Sequence, residues 1–281
     1  MLIRCWGSRG SIPVSGREYL KYGGDTACIE VRTNSGDVVV IDAGSGIRRL
    51  SSRLLAEGVR RAQVLFTHAH WDHVLGFPFF GLIYQESAEI GVFGYSSAQK
   101  SIHQMISETM AAPNFPVPLQ DVRANVVFHE SDDCGQPFEL AGLSVRSIVL
   151  SHPDRGLGYR LVEDGKSFVI LTDNELGYRH EGGGTFEDYA RFCEGADLLM
   201  HDAVYTPDEY EHTRSWGHST YLDALELALR ARVKALGLFH HHQDRTDDQI
   251  DALVADCCDR IARQGAELEC FAVSGETQRR L

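Results

Sequence analysis

The chain has 281 residues, of which 43% are apolar, which is ample for a buried core. Its 27 basic and 40 acidic residues give a formal net charge of −13, which repels phosphate backbones and disfavours a large nucleic acid as a partner. The sequence has no run of 18 or more apolar residues and no apolar signal segment at its N-terminus. We therefore expect neither secretion nor membrane insertion, and predict a cytoplasmic protein.

Short apolar segments with strand character recur along the chain. Two hairpins join such segments, through Asn34-Ser35-Gly36-Asp37 and through Asp164-Gly165, a dipeptide that suits the positive φ angles of a two-residue turn. The strands of each hairpin are therefore predicted to be antiparallel neighbours. The predicted strands cover residues 28–33, 38–43, 63–66, 89–93, 143–150, 159–163, 167–172, 197–201 and 235–239.

Three segments have the apolar spacing of an amphipathic helix. They lie at residues 47–55 before Gly58, at 222–229 after Thr220, and at 250–261 before Gly265. Their apolar faces need a sheet to cover, so we expect either a two-sheet sandwich flanked by helices or an open mixed sheet. No linker or low-complexity tract divides residues 1–281, which are predicted to form one domain.

The densest group of polar side chains is the run Thr67-His68-Ala69-His70-Trp71-Asp72-His73, directly after the predicted strand 63–66. Side chains alternate along a strand, so His68 and His70 point to one side and can bind one metal ion. Asp72 and His73 follow in the turn, where they can offer ligands to a second ion. Imidazole and carboxylate ligands suit Zn, Mn or Fe.

Further candidate ligands follow other predicted strands. His152 comes after the strand 143–150, Asp173 after 167–172, and three consecutive histidines, His240, His241 and His242, after 235–239. Loops at strand ends commonly carry catalytic groups. With one histidine taken from the triple, the three strand ends add three ligands to the four of the first group. The total of seven is enough for two ions with Asp173 as a bridge.

At this point the sequence resembles the metallo-β-lactamase superfamily, within it the branch of tRNA 3′-processing endonucleases and small phosphodiesterases. The pair His201-Asp202-Ala203 and Gly217-His218-Ser219-Thr220 points to phosphodiester chemistry. The resemblance covers nearly all of the chain and also rests on Trp6-Gly7-Ser8-Arg9-Gly10-Ser11, Tyr22-Gly23-Gly24-Asp25-Thr26 and Val40-Ile41-Asp42-Ala43-Gly44.

The resemblance implies an α/β fold, a four-layer αββα sandwich in a single domain, with two metal ions at the edge between the sheets. His68, His70 and His152 would bind one ion, Asp72, His73 and His240 the other, and Asp173 both. The family has its last ligand immediately after the final strand, which favours His240. His242 remains an alternative because it shares the face of His240 by period two.

The implied mechanism is hydrolysis by a metal-bound hydroxide that attacks phosphorus. Zn is the first choice for both ions, with Mn or Fe as alternatives. His218 is the candidate donor of a proton to the leaving alkoxide, and Asp202 would hold its other ring nitrogen. Asp72 joins this catalytic pair in addition to binding metal. Asp42 and Thr67 are expected to hydrogen-bond the ligand histidines.

The spacing of the ligands bears on the substrate. In the tRNA-processing group a long arm that grips tRNA lies between the third histidine and the bridging aspartate, whereas here Asp173 follows His152 by only 21 positions. Together with the net charge, this favours a small phosphodiester or nucleotide, with a cyclic nucleotide as first choice. Residues 112–119 would form a lid in which Phe115 stacks on a base, and Arg9 would approach a phosphate.

Three other functions are consistent with parts of the sequence. A tRNA 3′-processing endoribonuclease and a glyoxalase II-like thioesterase would use the same metal ligands, and His218 with Asp202 argues against the thioesterase. A metal-stabilised nucleotide-binding sensor without activity would not need all seven ligand positions filled. Relatives in this branch are often dimers, so the resemblance also suggests a homodimer.

Overall fold

In the computed structural model, which describes residues 1–94, 101–130 and 135–281, two seven-stranded mixed sheets form the centre. The first sheet has, in spatial order, β14 (Gln278–Arg280), β1 (Leu2–Gly7), β2 (Cys28–Arg32), β3 (Val38–Ile41), β4 (Arg61–Leu65), β5 (Glu89–Gly94) and β6 (Asn125–Glu130). The second has β13 (Glu269–Ala272), β12 (Ala235–Phe239), β11 (Leu198–Asp202), β10 (Lys166–Leu171), β9 (Leu157–Glu163), β8 (Leu143–Val149) and β7 (Phe138–Leu140).

Helices cover the outer faces of the two sheets. The described helices are α1 (Ile47–Ala56), α2 (Trp71–Val74), α3 (Ile102–Thr109), α4 (Phe186–Cys193), α5 (Pro207–Thr213), α6 (Tyr221–Arg230) and α7 (Asp247–Gln264). One apolar cluster joins α1 and α3 to the first sheet, another joins α4, α6 and α7 to the second, and a third fills the space between the sheets. The layers therefore run helix, sheet, sheet, helix. The predicted αββα sandwich is confirmed, and the alternative of a single open sheet is wrong.

The parallel parts of the two sheets determine where functional side chains gather. Strands β3 and β4 are parallel, with Ile41 opposite Leu65, and β10, β11 and β12 are parallel to one another. Residues that follow these strands leave the sheets at their carboxyl ends, where loops of a mixed sheet form binding sites. The segments 42–44, 66–73, 172–175 and 240–242 all begin there.

The hairpins and the three helices predicted from the sequence are present. Asp164 and Gly165 have φ values of 51° and 74°, as a two-residue turn between antiparallel β9 and β10 requires. Thr220 and Thr246 each accept a hydrogen bond from the backbone N–H three residues later, so both α6 and α7 begin with a capping box.

Several elements are absent from the predicted set, among them α3, α4, α5, β6, β7 and β13. Helices α3, α4 and α5 begin with capping boxes at Ser101, Thr185 and Thr206, and the pattern Ser/Thr-x-x-Gln/Asp/Glu is present in the sequence at each of them. The helices have at most eight residues each, too short for a clear periodicity. None of the helices in the described ranges combines the length and hydrophobicity that crossing a membrane requires.

Candidate metal centre

The first group of potential ligands forms around the end of β4. His68 and His70 leave this strand, and His152 and Asp173 come from the loops after β8 and β10. Each of these four residues offers a ligand atom, and the four atoms lie within 4.8 Å of one another. Nε2 of His152 is 3.0 Å from Nδ1 of His70, and Nε2 of His68 is 3.5 Å from Oδ2 of Asp173.

The second group is formed by Asp72, His73 and His240, whose ligand atoms also lie within 4.8 Å of one another. Asp72 and His73 belong to the short helix α2, and His240 directly follows β12. Oδ2 of Asp72 is 2.9 Å from Nε2 of His240 and 3.3 Å from Nε2 of His73. All three side chains are buried.

Asp173 lies between the two groups. Its Oδ1 is 3.3 Å from Nε2 of both His73 and His240, while its Oδ2 faces His68 at 3.5 Å and His152 at 4.0 Å. Each carboxylate oxygen thus points at one group. A carboxylate placed in this way could be shared by two ions.

The electrostatics of these side chains fit cations. Burial holds the pKa of His68 and His70 below the usual range and lowers the pKa of His152 to about 3, so these imidazoles are neutral at pH 7. Burial raises the pKa of Asp72 and Asp173, but the nearby histidines, His73 among them, have the larger effect. The net pKa of both carboxyls is well below the usual value, so both are ionised. Nε2 of His68 is buried without a hydrogen-bond partner among the described residues.

The pKa of His73 is shifted upward, and the cause of this shift also indicates a site for a cation. Burial lowers the pKa of His73, but Asp72, Asp173 and Asp42 outweigh burial and raise it well above the usual value. The proton on Nε2 of His73 thus balances negative charge that a bound cation would balance instead. A donor set of neutral imidazoles and carboxylates around an orphaned ring nitrogen fits divalent metal.

The ligand side chains are held from behind by hydrogen bonds. Nδ1 of His73 is 2.8 Å from Oδ2 of Asp42, which also accepts a bond from Oγ1 of Thr67 at 2.8 Å. Thr67 Oγ1 in turn lies 3.1 Å from Nδ1 of His68. These are the contacts expected of Asp42 and Thr67 from the sequence, and they fix the orientation of two rings.

Three residues of the centre have left-handed backbones. Asp42, Asp173 and His240 have φ values of 61°, 57° and 55°. Asp42 and His240 directly follow β3 and β12, and Asp173 follows β10 with Thr172 between them. Such conformations are unfavourable for residues other than glycine, and strain of this kind collects at functional sites.

The three consecutive histidines after β12 have three different environments. The left-handed backbone of His240 ends the alternation of the strand, so the argument that His242 shares its face is wrong. Nε2 of His241 contacts the Val273 carbonyl at 2.7 Å, and burial lowers the pKa of His241 to about 3. His242 is partly exposed, and its Nδ1 accepts a bond from the Asp244 N–H. Only His240 among the three joins the described cluster.

His218 and Asp202 adjoin the same centre. Nδ1 of His218 is 3.4 Å from Oδ2 of Asp202 and 3.9 Å from Oδ2 of Asp173, and its ring stacks on His240 with 5.1 Å between centroids. Asp202 is fully buried and also accepts bonds from the backbone N–H groups of Asn174 and Ser219. Burial lowers the pKa of His218, but Asp202 and Asp173 outweigh burial and raise it.

Glu175 is a functional candidate that the sequence interpretation missed. It is fully buried, and its Oε1 accepts bonds from the Ser215 N–H and from Tyr210, while its Oε2 accepts bonds from the Gly217 N–H and from His180. It therefore fixes the loop that leads into His218. No metal-ligand or acid–base spacing in the sequence marks this residue.

Arg9 and residues 112–119 were expected to contact the substrate. Arg9 is buried and donates to the carbonyls of Gly23, His242 and Arg245, so it braces loops and does not approach a phosphate. The ring of Phe115 makes an edge-to-face contact with Phe79 at 5.5 Å. The role of residues 112–119 as a lid stays a prediction. A small pocket of about 40 Å³ opens beside His68 and His70.

Comparison with known proteins gives a family and several relatives. The family described as the beta-lactamase superfamily domain matches residues 38–241. Ribonuclease Z of Natronomonas pharaonis is 26% identical over 280 residues, covering 83% of this chain and 84% of its own. Ribonuclease Z of Thermococcus gammatolerans is 29% identical over 256 residues, covering 76% of this chain and 78% of its own.

Solved structures show the same fold. The metallo-beta-lactamase fold protein YhfI from Bacillus subtilis is 18% identical with a TM-score of 0.71, and the two chains are covered to 99% and 98%. The short form of human tRNase Z is 21% identical with a TM-score of 0.66, and covers 100% of this chain and 99% of its own. The resemblance inferred from the sequence is confirmed.

The prediction of a small, cyclic-nucleotide substrate is wrong, and so is the prediction that a large nucleic acid is an unlikely partner. The relatives are named Ribonuclease Z, and one solved neighbour is a tRNase Z. The net charge of −13 is a sum over the whole chain and says nothing about the local potential at a site. The short span between His152 and Asp173, filled by the β9–β10 hairpin, argues only against one way of holding RNA.

Proposed function

The chain belongs to the metallo-β-lactamase superfamily, and from that premise we propose that it is a metal-dependent hydrolase of the ribonuclease Z type, an endoribonuclease that cleaves precursor tRNA near its 3′ end. The observation that carries the proposal is the pair His218 and Asp202 beside the bridging carboxylate of Asp173. This pair provides an acid next to a dinuclear site, as cleavage of a phosphodiester requires.

We assign His68, His70 and His152 to one ion, Asp72, His73 and His240 to the other, and Asp173 to both. Zn is the proposed metal, because neutral imidazole and carboxylate are its usual ligands, although Mn and Fe accept the same donors. When bound, the two ions supply an activated water and neutralise the charge that builds on the phosphate oxygens.

The residues of the chain perform the remaining steps. Nδ1 of His218 faces the Asp202 carboxylate at 3.4 Å, a charge contact without a hydrogen bond, and Nε2 of His218 would protonate the leaving alkoxide. Asp202, which lies outside the proposed ligand set, raises the pKa of His218 despite its burial, and this favours the protonated form of the donor. Stacking on His240 holds the donor ring in register with the metal ligands.

The overall negative charge is compatible with RNA at this site. Two divalent cations carry more positive charge than the ionised Asp72 and Asp173 carry negative charge, so the loaded centre attracts a phosphate. Attraction at the centre is local, because the Debye length is about 8 Å at physiological ionic strength.

The test is cleavage of a precursor tRNA with a 3′ trailer by the metal-loaded protein. We expect a single cut that requires metal, disappears with chelator and returns on addition of Zn or Mn. An acyl-glutathione thioester serves as the comparison substrate, because a glyoxalase II-like thioesterase would have the same ligands. Hydrolysis of the thioester without cleavage of RNA would overturn the proposal.

A further inference from the structure

Two large aromatic side chains close to the metal centre are exposed to solvent. The side chains of Trp71 and Trp216 are 59% and 62% exposed. Trp71 stands between the proposed ligands His70 and Asp72 in sequence, and Trp216 stands directly before Gly217 and His218. Exposure of an indole is costly in water, and neither ring has a hydrogen bond or ring contact in the described part of the chain.

The backbone on both sides of Trp216 is held by one buried group. Oε1 of Glu175 accepts the Ser215 N–H and Oε2 accepts the Gly217 N–H, both at 2.7 Å. Ser215 and Gly217 also have positive φ values of 72° and 94°. The loop is thus strained at Ser215 and clamped by Glu175 on both sides of Trp216, whose side chain is exposed.

The backbone of Trp71 is fixed in a different way. It is the first residue of α2, and its carbonyl accepts the Leu75 N–H at 2.9 Å. The residues before and after it, His70 and Asp72, point into the centre. Because the side chains of His70 and Asp72 face the centre, the indole of Trp71 between them faces solvent at the border of the same site.

A short chain of contacts connects the two tryptophan positions. Nδ1 of His70 is 3.0 Å from Nε2 of His152, and Nδ1 of His152 donates to the Gly217 carbonyl at 2.8 Å. Only two ligand side chains therefore separate the segment of Trp71 from the segment of Trp216. The segments that carry the two exposed indoles therefore border the side of the centre formed by His70 and His152.

We propose that Trp71 and Trp216 form a stacking subsite for unpaired nucleobases of an RNA strand on either side of the scissile phosphate. This inference rests on the proposed function, in that RNA is the substrate. Bases of unpaired strands stack on aromatic side chains without regard to sequence, because every base has a π face. Trp71 and Trp216 are positioning residues that hold the strand while the phosphate lies at the metals.

Stacking also explains how an acidic chain can hold RNA without a long basic arm. Contacts to bases do not depend on neutralising the backbone, so they lose less affinity with salt than contacts from lysine or arginine. In the described residues the loop between His152 and Asp173 is a short hairpin. The RNA strand would then be held mainly by Trp71 and Trp216 beside the metal centre.

The test uses the full-length protein and a fluorescently labelled, unpaired oligouridylate, with binding measured by anisotropy in chelator so that nothing is cleaved. We expect Trp71→Ala and Trp216→Ala each to weaken binding by about tenfold, and the Phe variants to stay within about threefold of the wild type. Val127→Ala, which removes an exposed apolar side chain on the edge strand β6, is the control and should bind as the wild type does.

A second measurement identifies the base as the contact. Cleavage by the metal-loaded protein is compared on precursor RNA with normal or abasic nucleotides beside the scissile bond. The abasic substrate should raise the KM of the wild type about tenfold, and Trp71→Ala or Trp216→Ala should then raise it no further. Equal losses on normal and abasic RNA would overturn the stacking subsite.

Other outcomes separate this inference from the proposed function. If the wild type cleaves precursor tRNA while the Trp→Ala variants bind and cleave like it, the subsite is overturned and the function stands. If the oligouridylate binds through the tryptophans but no RNA is cleaved, the function is overturned and the subsite stands. A change of oligomeric state in size-exclusion chromatography of Trp71→Ala or Trp216→Ala would assign the rings to a protein interface and overturn the subsite.

Discussion

Asp42 and His73 are joined by a 2.8 Å contact between Oδ2 and Nδ1, on the side of the ring that faces away from the proposed metals. The carboxylate reaches this position because Asp42, at the end of β3, adopts a left-handed backbone. It also accepts the Thr67 N–H at 2.8 Å, so one buried group orients both a ligand and the strand end that carries the others.

Asp42→Asn is expected to weaken metal binding by about 10- to 100-fold, because the ring of His73 loses a charged partner and becomes a poorer donor. Asparagine tolerates the left-handed backbone, so the fold should persist. Metal affinity is measured by competition with a chromophoric chelator. Asp37→Asn, at a half-buried position directly before β3, is the control, and equal affinities for the two variants would contradict the prediction.

His218→Ala is expected to lower kcat for RNA by roughly 10² to 10⁴, because the leaving alkoxide loses its proton donor. The metal content should stay at two ions per chain, measured by elemental analysis. His212→Ala, at an exposed position on α5, controls for the loss of a histidine. Loss of metal in His218→Ala would show a ligand or structural role in place of acid catalysis.

Glu175→Gln is expected to reduce stability by about 2 kcal/mol, because an amide NH₂ would face a buried N–H donor of Ser215 or Gly217. The loop before His218 should loosen, and kcat should fall with it. Urea unfolding measures the first effect and single-turnover cleavage the second. The matched control is Glu211→Gln on the exposed face of α5. A variant as stable and active as the control would contradict the role of this carboxylate.

Removal of metal is expected to lower thermal stability as well as activity. Ions that bind the folded chain stabilise it by about 4 kcal/mol when their concentration is a thousandfold above Kd. Melting curves with and without chelator measure the shift. Asp173→Asn, which lacks the shared carboxylate, should melt at nearly the same temperature in both conditions. A wild type insensitive to chelator would count against a resident metal.

Asp197→Ala is expected to destabilise the protein by about 2 kcal/mol at pH 7, mainly because the buried Ser167 N–H loses its acceptor. The exposed lysines 166 and 234 add little. Burial raises the pKa of Asp197, but the bonds from Lys234 and Ser167 lower it overall. The contribution is therefore complete above the unfolded pKa of about 3.9 and is lost as the pH falls through the lower folded pKa.

Urea unfolding of wild type and Asp197→Ala at pH 7 and pH 3 measures this difference. The gap between the two proteins should narrow at the lower pH. A gap that stays constant would mean that the charge of Asp197 contributes nothing and that packing accounts for the loss.

Much of the centre could be predicted from the sequence, because its residues lie at or just after the ends of predicted strands. The apolar runs before His68, Asp173 and His240 predicted strands, and parallel strands bring their ends to one edge. The choice of His240 came from the family resemblance, and the strand pattern alone could not separate it from His242, because the separation depends on the φ of His240. A period-two argument applies only while the strand continues.

The parts that sequence reasoning missed depend on long-range contacts. Glu175 acquires its role from Tyr210, Ser215 and Gly217, which lie about 40 positions away in the chain and are brought to it by tertiary packing. The substrate was mispredicted for a related reason. Net charge is a property of the whole chain and loop length of one segment, and neither describes the surface on which a substrate would bind.

The left-handed backbones at Asp173 and His240 limit how this centre can be redesigned. His68, His70 and His152 have no left-handed backbone, so a replacement there has only to present a donor atom to the proposed ion. At Asp173 and His240 the replacement must also accept a conformation that costs about 1 kcal/mol or more in most residues. Engineers who wish to change metal preference should therefore vary the first three positions and leave the two left-handed ones unchanged.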